Sequence, residues 1–206
     1  MNDILTIIWH GFMAATWIEQ SATILGLISV WLATRQNAWV FPLGLVQVVL
    51  FGYVLFHQQL YADTFLQGCY FVALVYGWWS WTHPGGQRGT LPVTHLSPGQ
   101  LLALVVLIAV VTVAWSRLLA DIGDAMPWRD AFLATCGICA QWLEARKKIE
   151  TWLGWVIVNS LGLAMMLELG LYWFVVLYVL YLVLSFTGLR AWLVSYRGTP
   201  HSTAHA

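Results

Sequence analysis

Residues 146–159 read RKKIETWLGWVIVN, a charged loop turning directly into an apolar segment that carries two indoles and an amide. At ~100° per residue, Trp152, Trp155 and Asn159 fall within ~60° of one another on a helix. An amide at that depth in an apolar segment needs a hydrogen-bonding partner. Indoles beside it supply flat surfaces on which a small aromatic or cationic molecule stacks. The competing reading is that this face only packs against a neighbouring helix.

Other polar side chains fall at helical spacing inside apolar segments, where each is costly. Asp63, Gln67, Tyr70, Leu74 and Gly77 form one stripe, and Phe174, Tyr178, Tyr181, Ser185 and Gly188 form another. Asp130, Ala134, Gly137, Gln141 and Glu144 make a third, while Gln47 stands alone in its segment. Each Gln is either an interhelical hydrogen bond or part of a site. With Asn159 they make a neutral polar lining suited to hydroxyls and amides rather than to protons or metal ions. Glu19 and Glu144 are expected to pair with loop arginines or substrate hydroxyls.

These side chains need a membrane-embedded framework. Of 206 residues, 60% are hydrophobic, 9% charged and 14 are Trp, far from a soluble average of about 25% charged. The net charge is zero, which leaves no nucleic-acid footprint. Residues 1–16 contain Asp3 and no Lys or Arg, so they read as an interfacial helix rather than a cleaved leader. Cys136 and Cys139 have redox-motif spacing, but no second Cys or His pair accompanies them, and with Cys69 they read as buried packing thiols. The His residues lack metal-site spacing, and no catalytic His and carboxylate set is present. An intramembrane enzyme and a purely structural membrane protein are therefore both disfavoured against a transporter, and neither metal nor cofactor is expected.

Seven apolar segments span roughly residues 18–33, 38–56, 64–81, 99–119, 130–143, 151–167 and 171–194, with a polar linker over 82–98. A gapless shift of 111 residues aligns Trp17 with Trp128, Gly26 with Gly137, Trp31 with Trp142, Arg35 with Arg146, Tyr70 with Tyr181, Gly77 with Gly188 and Trp81 with Trp192. About 0.4 Trp matches are expected by chance, so the chain reads as a duplication. The expected fold is an all-α integral membrane protein with seven transmembrane helices in a 3+1+3 order. Its parts are an interfacial helix (1–16), a three-helix repeat (17–81), a linker with a transmembrane helix (82–127), a second repeat (128–195) and a cytoplasmic tail (196–206). The odd helix makes the repeats parallel, as in SWEET-type transporters, with substrate held near the midplane. An outside N-terminus puts Arg35, Arg88, Arg146, Lys147, Lys148, Arg190 and Arg197 on the inner side and leaves Arg117 and Arg129 outside, following the positive-inside bias. Pro42 and several glycines are places where helices bend or pack closely.

The run WLATRQN at 31–37, LYAD at 60–63, YGWWSW at 76–81 and EARKKIETW at 144–152, followed by Trp155 and Asn159, resembles the PnuC family of bacterial nicotinamide riboside transporters. The likeness covers residues 17–195, and Trp-x-x-Trp-x-x-x-Asn is its most telling part. It implies an inner-membrane homotrimer working by facilitated diffusion, with a cytoplasmic ribosylnicotinamide kinase trapping the substrate. Relatives on the same scaffold carry thiamine or other vitamins. The residues suit nicotinamide riboside: Trp152, Trp155 or Tyr181 to cover the pyridinium, Asn159 to pair with the carboxamide, and Gln67, Gln141 and Gln47 for the ribose hydroxyls. No Arg or Lys lies mid-helix, so a phosphorylated mononucleotide meets no countercharge. The lack of an isolated mid-helix carboxylate argues against proton coupling.

Overall fold

The computed structural model describes residues 6, 11, 13, 15–83 and 91–198. The expected surface helix over 1–16 lies largely outside the described residues, as do Arg88 and the tail beyond residue 198. Among the described residues lie seven long helices: α1 (Trp17–Thr34), α2 (Val40–His57), α3 (Tyr61–Thr82), α4 (Pro98–Asp121), α5 (Pro127–Ala145), α6 (Thr151–Glu168) and α7 (Tyr172–Gly198). Four of them, α2, α4, α6 and α7, are long and apolar enough by composition to cross a membrane. The other three are more polar along their length, with Glu19 and Gln20 on α1, Asp63 and Gln67 on α3, and Asp130, Gln141 and Glu144 on α5.

Local chemistry sets the helix ends. Thr16 accepts from the Glu19 amide at 3.3 Å and its own amide donates to Glu19 Oε2 at 2.6 Å, a capping box opening α1. Ser97 and Gln100 repeat that device before α4, with Pro98 in its first turn. At the C-termini of α1 and α5, Gln36 (φ 54°) and Lys147 (φ 50°) take the left-handed conformation. Asn37 N then donates to Leu32 O and Lys148 N to Leu143 O, which satisfies the last carbonyls. Gln59 (φ 62°) and Gly170 (φ 69°) do the same after α2 and α6. Gln36 with Lys147, and Gln59 with Gly170, are positions matched by the shift of 111 residues.

Helix packing forms a ring: α1 against α2, α2 against α3, α3 against α5, α5 against α6, α6 against α7, and α7 back against α1. Helix α4 leans on α5 outside that ring, with Leu102, Val105, Val106 and Val110 exposed. The ring is locked where indoles take up backbone carbonyls at helix ends. Trp81 Nε1 donates to Glu144 O at 3.3 Å, and Trp192 Nε1 donates to Ala33 O at 3.0 Å. Phe41 lies against Gly77 and Trp152 against Gly188 so closely that a Cβ on either glycine would come within 3.0 Å of ring atoms. In each of these couples, one contact has its counterpart at positions 111 residues away. Pro42 sits in the first turn of α2, where its missing N–H has no carbonyl to serve.

The linker is more than a polar tether. Thr94 N donates to Lys147 O and Ile149 N to Thr94 O, both at 3.0 Å, which lays the chain beside the α5–α6 loop. Val93 is buried in the core with Phe41, Trp81, Ile149, Trp152 and Trp192. Leu96 N and His95 Nδ1 both meet Glu150 Oε1, and Lys148 Nζ reaches His95 O. Backbone pairing carries this contact, so no apolar periodicity announces it.

Lys147 is 2% exposed. Its Nζ lies 4.4 Å from the centre of the Trp81 ring and 3.4 Å from Gln36 Oε1. Desolvation brings its ammonium down to about 8. Between there and the ordinary lysine value the folded protein holds fewer protons than the unfolded chain. The burial penalty is thus complete below pH 8 and is relieved as pH rises toward 10.5. The melting temperature of the wild type should therefore gain on that of a Lys147→Met variant as pH is raised from about 7.5 to about 10. Parallel melting curves for the two proteins across that window would contradict it.

Candidate functional site

A cavity of about 310 Å³ lies inside the ring of helices. All six ring helices contribute to its polar wall: Ser29 on α1, Gln47 on α2, Gln67 and Tyr70 on α3, Gln141 and Glu144 on α5, Asn159 on α6, and Tyr178, Tyr181 and Ser185 on α7. The remaining surface is aliphatic and aromatic, with Val30, Val48, Phe51, Val158 and Phe174 among the lining side chains.

Of the residues singled out from the sequence, Trp155, Asn159, Gln47, Gln67, Gln141 and Tyr181 all line this cavity. Trp152 does not. Its indole is fully buried, T-shaped against Trp192 at 5.4 Å between ring centres, and its far edge is pressed on Gly188. Helical phase alone places Trp152 beside Trp155, but the gap left by Gly188 draws the ring into the framework instead. This corrects its assignment as a stacking surface in the cavity.

The polar lining is only partly satisfied from within. Asn159 Nδ2 donates to Ser185 Oγ at 3.3 Å, and Ser185 Oγ donates to Tyr181 O at 2.7 Å. Trp155 Nε1 donates to Glu144 Oε2 at 3.1 Å. Gln141 Nε2 and Ser29 Oγ are buried with no hydrogen-bond partner among the described residues. Buried donors without partners are costly, and a hydroxyl-bearing ligand supplies what they lack. Two close approaches shape the space: Tyr181 Oη lies against Gly26 and Tyr70 Oη against Gly137.

Glu144 departs from the expected pairing with loop arginines. It forms no ion pair among the described residues, because the guanidinium of Arg146 lies over Trp142 at 5.9 Å and Lys147 is held at Trp81. Its position on the stripe with Gln141 carried the signal, as Tyr70 and Tyr178 did on theirs. Glu19 lies away from the cavity, capping α1 and accepting from Gln58 Nε2 at 3.5 Å. No group of three or more metal-ligating side chains occurs among the described residues.

Comparison with known proteins places this architecture. The family model described as nicotinamide mononucleotide transporter matches residues 16–194. The chain is 30% identical over 208 residues to the nicotinamide riboside transporter PnuC of Escherichia coli, covering 88% of this chain and 87% of that one. It is 28% identical over 181 residues to the riboflavin/roseoflavin transporter RibM of Streptomyces davaonensis, covering 85% and 84%. The crystal structure of the vitamin B3 transporter PnuC superposes with a TM-score of 0.74 at 23% identity, over 94% of this chain and 90% of that one.

Proposed function

This chain belongs to the nicotinamide mononucleotide transporter family, that of the PnuC proteins, and on that premise we propose that it takes up nicotinamide riboside across the bacterial inner membrane by facilitated diffusion. The observation that carries the reading is the cavity in which Gln47, Gln67, Gln141 and Asn159 surround a space edged by the Trp155 indole. The pyridinium stacks on Trp155, the carboxamide pairs with Asn159, and the ribose hydroxyls meet Gln141 Nε2 and the other amides. Among the described lining residues there is no Lys or Arg. A phosphate would enter without a countercharge and next to Glu144, so the riboside is favoured over the mononucleotide.

A flavin is the second reading, favoured by the likeness to RibM. A volume of about 310 Å³ is at the low end for ligand pockets, which suits a nucleoside with one small ring better than a tricyclic ring system. Thiamine, also a flat cation, is the third.

Two parallel three-helix units, α1–α3 and α5–α7, joined by α4, are supported by the couples that recur at equivalent positions, down to the like-placed contacts Trp81 to Glu144 O and Trp192 to Ala33 O. Rocking of one unit against the other then opens the cavity alternately to each side. The end of the bundle holding Arg35, Arg146, Lys147 and Lys148 is assigned to the cytoplasm and the N-terminus to the outside. A homotrimer, with a cytoplasmic ribosylnicotinamide kinase trapping the substrate, completes the scheme.

Binding titrations of purified protein with nicotinamide riboside, its mononucleotide, thiamine and riboflavin test the substrate. Tight binding of thiamine or riboflavin without the riboside would refute the assignment. Glu144 is the one carboxylate among the described lining residues on which a proton could travel, so the uncoupled mechanism has its own check. Uptake into kinase-free proteoliposomes should stop at equal concentrations on both sides, with or without an imposed proton or sodium gradient. Accumulation driven by either gradient would overturn facilitated diffusion.

A further inference from the structure

We propose that Glu144 is the counterion that selects a positively charged ring, a deepening that rests on the nicotinamide riboside reading. Among the described residues lining the cavity it is the only Asp, Glu, Lys or Arg. It is 6% exposed, and its side chain's one hydrogen bond among the described residues comes from the Trp155 indole. A carboxylate taken out of water without a cation is costly. The basic side chains next to it in sequence, Arg146 and Lys147, are committed to Trp142 and Trp81.

The fold does not ask for this carboxylate. The position's framework duty is its backbone carbonyl, which accepts from Trp81 Nε1. The equivalent position of the first repeat, Ala33, performs the same duty for Trp192 and is a buried residue with no polar side chain. A glutamate where alanine serves elsewhere is explained by what it faces. It faces the cavity beside Trp155, so a ring stacked on that indole brings its positive charge next to the carboxylate. The cation offsets the desolvation of Glu144, and the indole N–H keeps the carboxylate turned toward the same place. A neutral ring of the same shape gains the stacking but not the charge pairing, and a phosphate is repelled.

Nicotinamide riboside and its dihydro form share the ribose and the carboxamide and differ in ring charge, so the pair isolates the effect. Calorimetric titration of wild type and Glu144→Gln with both forms is the test, since the carbonyl oxygen of the introduced amide can still accept from Trp155. Wild type should bind the cationic form at least about tenfold more tightly than the neutral one, and the variant should bring the ratio to about one, chiefly by losing affinity for the cation. An unchanged ratio in Glu144→Gln, or an equal loss for both forms, overturns the proposal. Should that variant fail to fold, Glu144→Met gives the same comparison, and a wild-type ratio near one is decisive without any variant. Failure of wild type to bind either form refutes the carrier reading itself and the counterion with it, whereas binding of both without preference refutes the counterion alone.

Discussion

Asn159→Leu is expected to weaken binding of nicotinamide riboside by about 5- to 150-fold while the detergent-solubilised protein melts close to the wild-type temperature. The loss corresponds to roughly 1 to 3 kcal/mol, the cost of desolvating the substrate's carboxamide with no partner to receive it. Folding should survive because the one hydrogen bond that Asn159 makes among the described residues goes to Ser185 Oγ. That hydroxyl keeps its own acceptor at Tyr181 O, so the substitution leaves no donor stranded. Trp155→Leu should lower affinity comparably by removing the stacking surface. A fall in melting temperature with intact affinity in both variants would show that these residues serve packing and not the substrate.

The second large effect concerns the framework. Gly188→Ala should destabilise the protein by about 1 to 3 kcal/mol, or prevent its accumulation, even though alanine is the better helix former. The added methyl would come within 3.0 Å of three atoms at the edge of the Trp152 ring. That ring is wholly buried and already set against Trp192, so it has nowhere to retreat. Adding Trp152→Leu to Gly188→Ala should recover much of the loss, a non-additivity expected only of groups in contact. A melting temperature unchanged by Gly188→Ala, or a double variant no better than the single, would contradict the arrangement.

Much of this is legible in the residues. The apolar segments and their punctuation locate all seven helices within a few residues, since hydropathy dictates helix length in a membrane. Six of the seven residues picked out for the site line one cavity, because periodicity puts polar groups on a face and the membrane leaves such a face only inward. Helical phase misplaces Trp152 for a tertiary reason: Gly188, on the neighbouring helix α7, opens the space its ring fills. The clue lies in Phe41, whose relation to Gly77 is the same. Loop arginines look like partners for Glu144 because they are its sequence neighbours, whereas at the helix end Arg146 turns away over Trp142. The insertion of Val93 is not legible at all, since its neighbours are held by main-chain hydrogen bonds that any sequence can make.

The couples that recur under the shift of 111 residues belong to the framework, and the amides of the cavity wall do not share their regularity. Gln47 is equivalent to Val158, Gln141 to Val30 and Asn159 to Val48, and all six line the same space. Trp155 is equivalent to Gly44, which lines it too. Under the proposed two-fold relation, each of these amides therefore stands where the other half presents a valine, and the indole where the other half presents no side chain. A wall built alike on both sides would accept a flat guest equally well turned end for end. Under the proposed assignment this one is keyed: a guest that enters with its ring toward α2 finds aliphatic surface where it needs amides, and only one way of sitting remains.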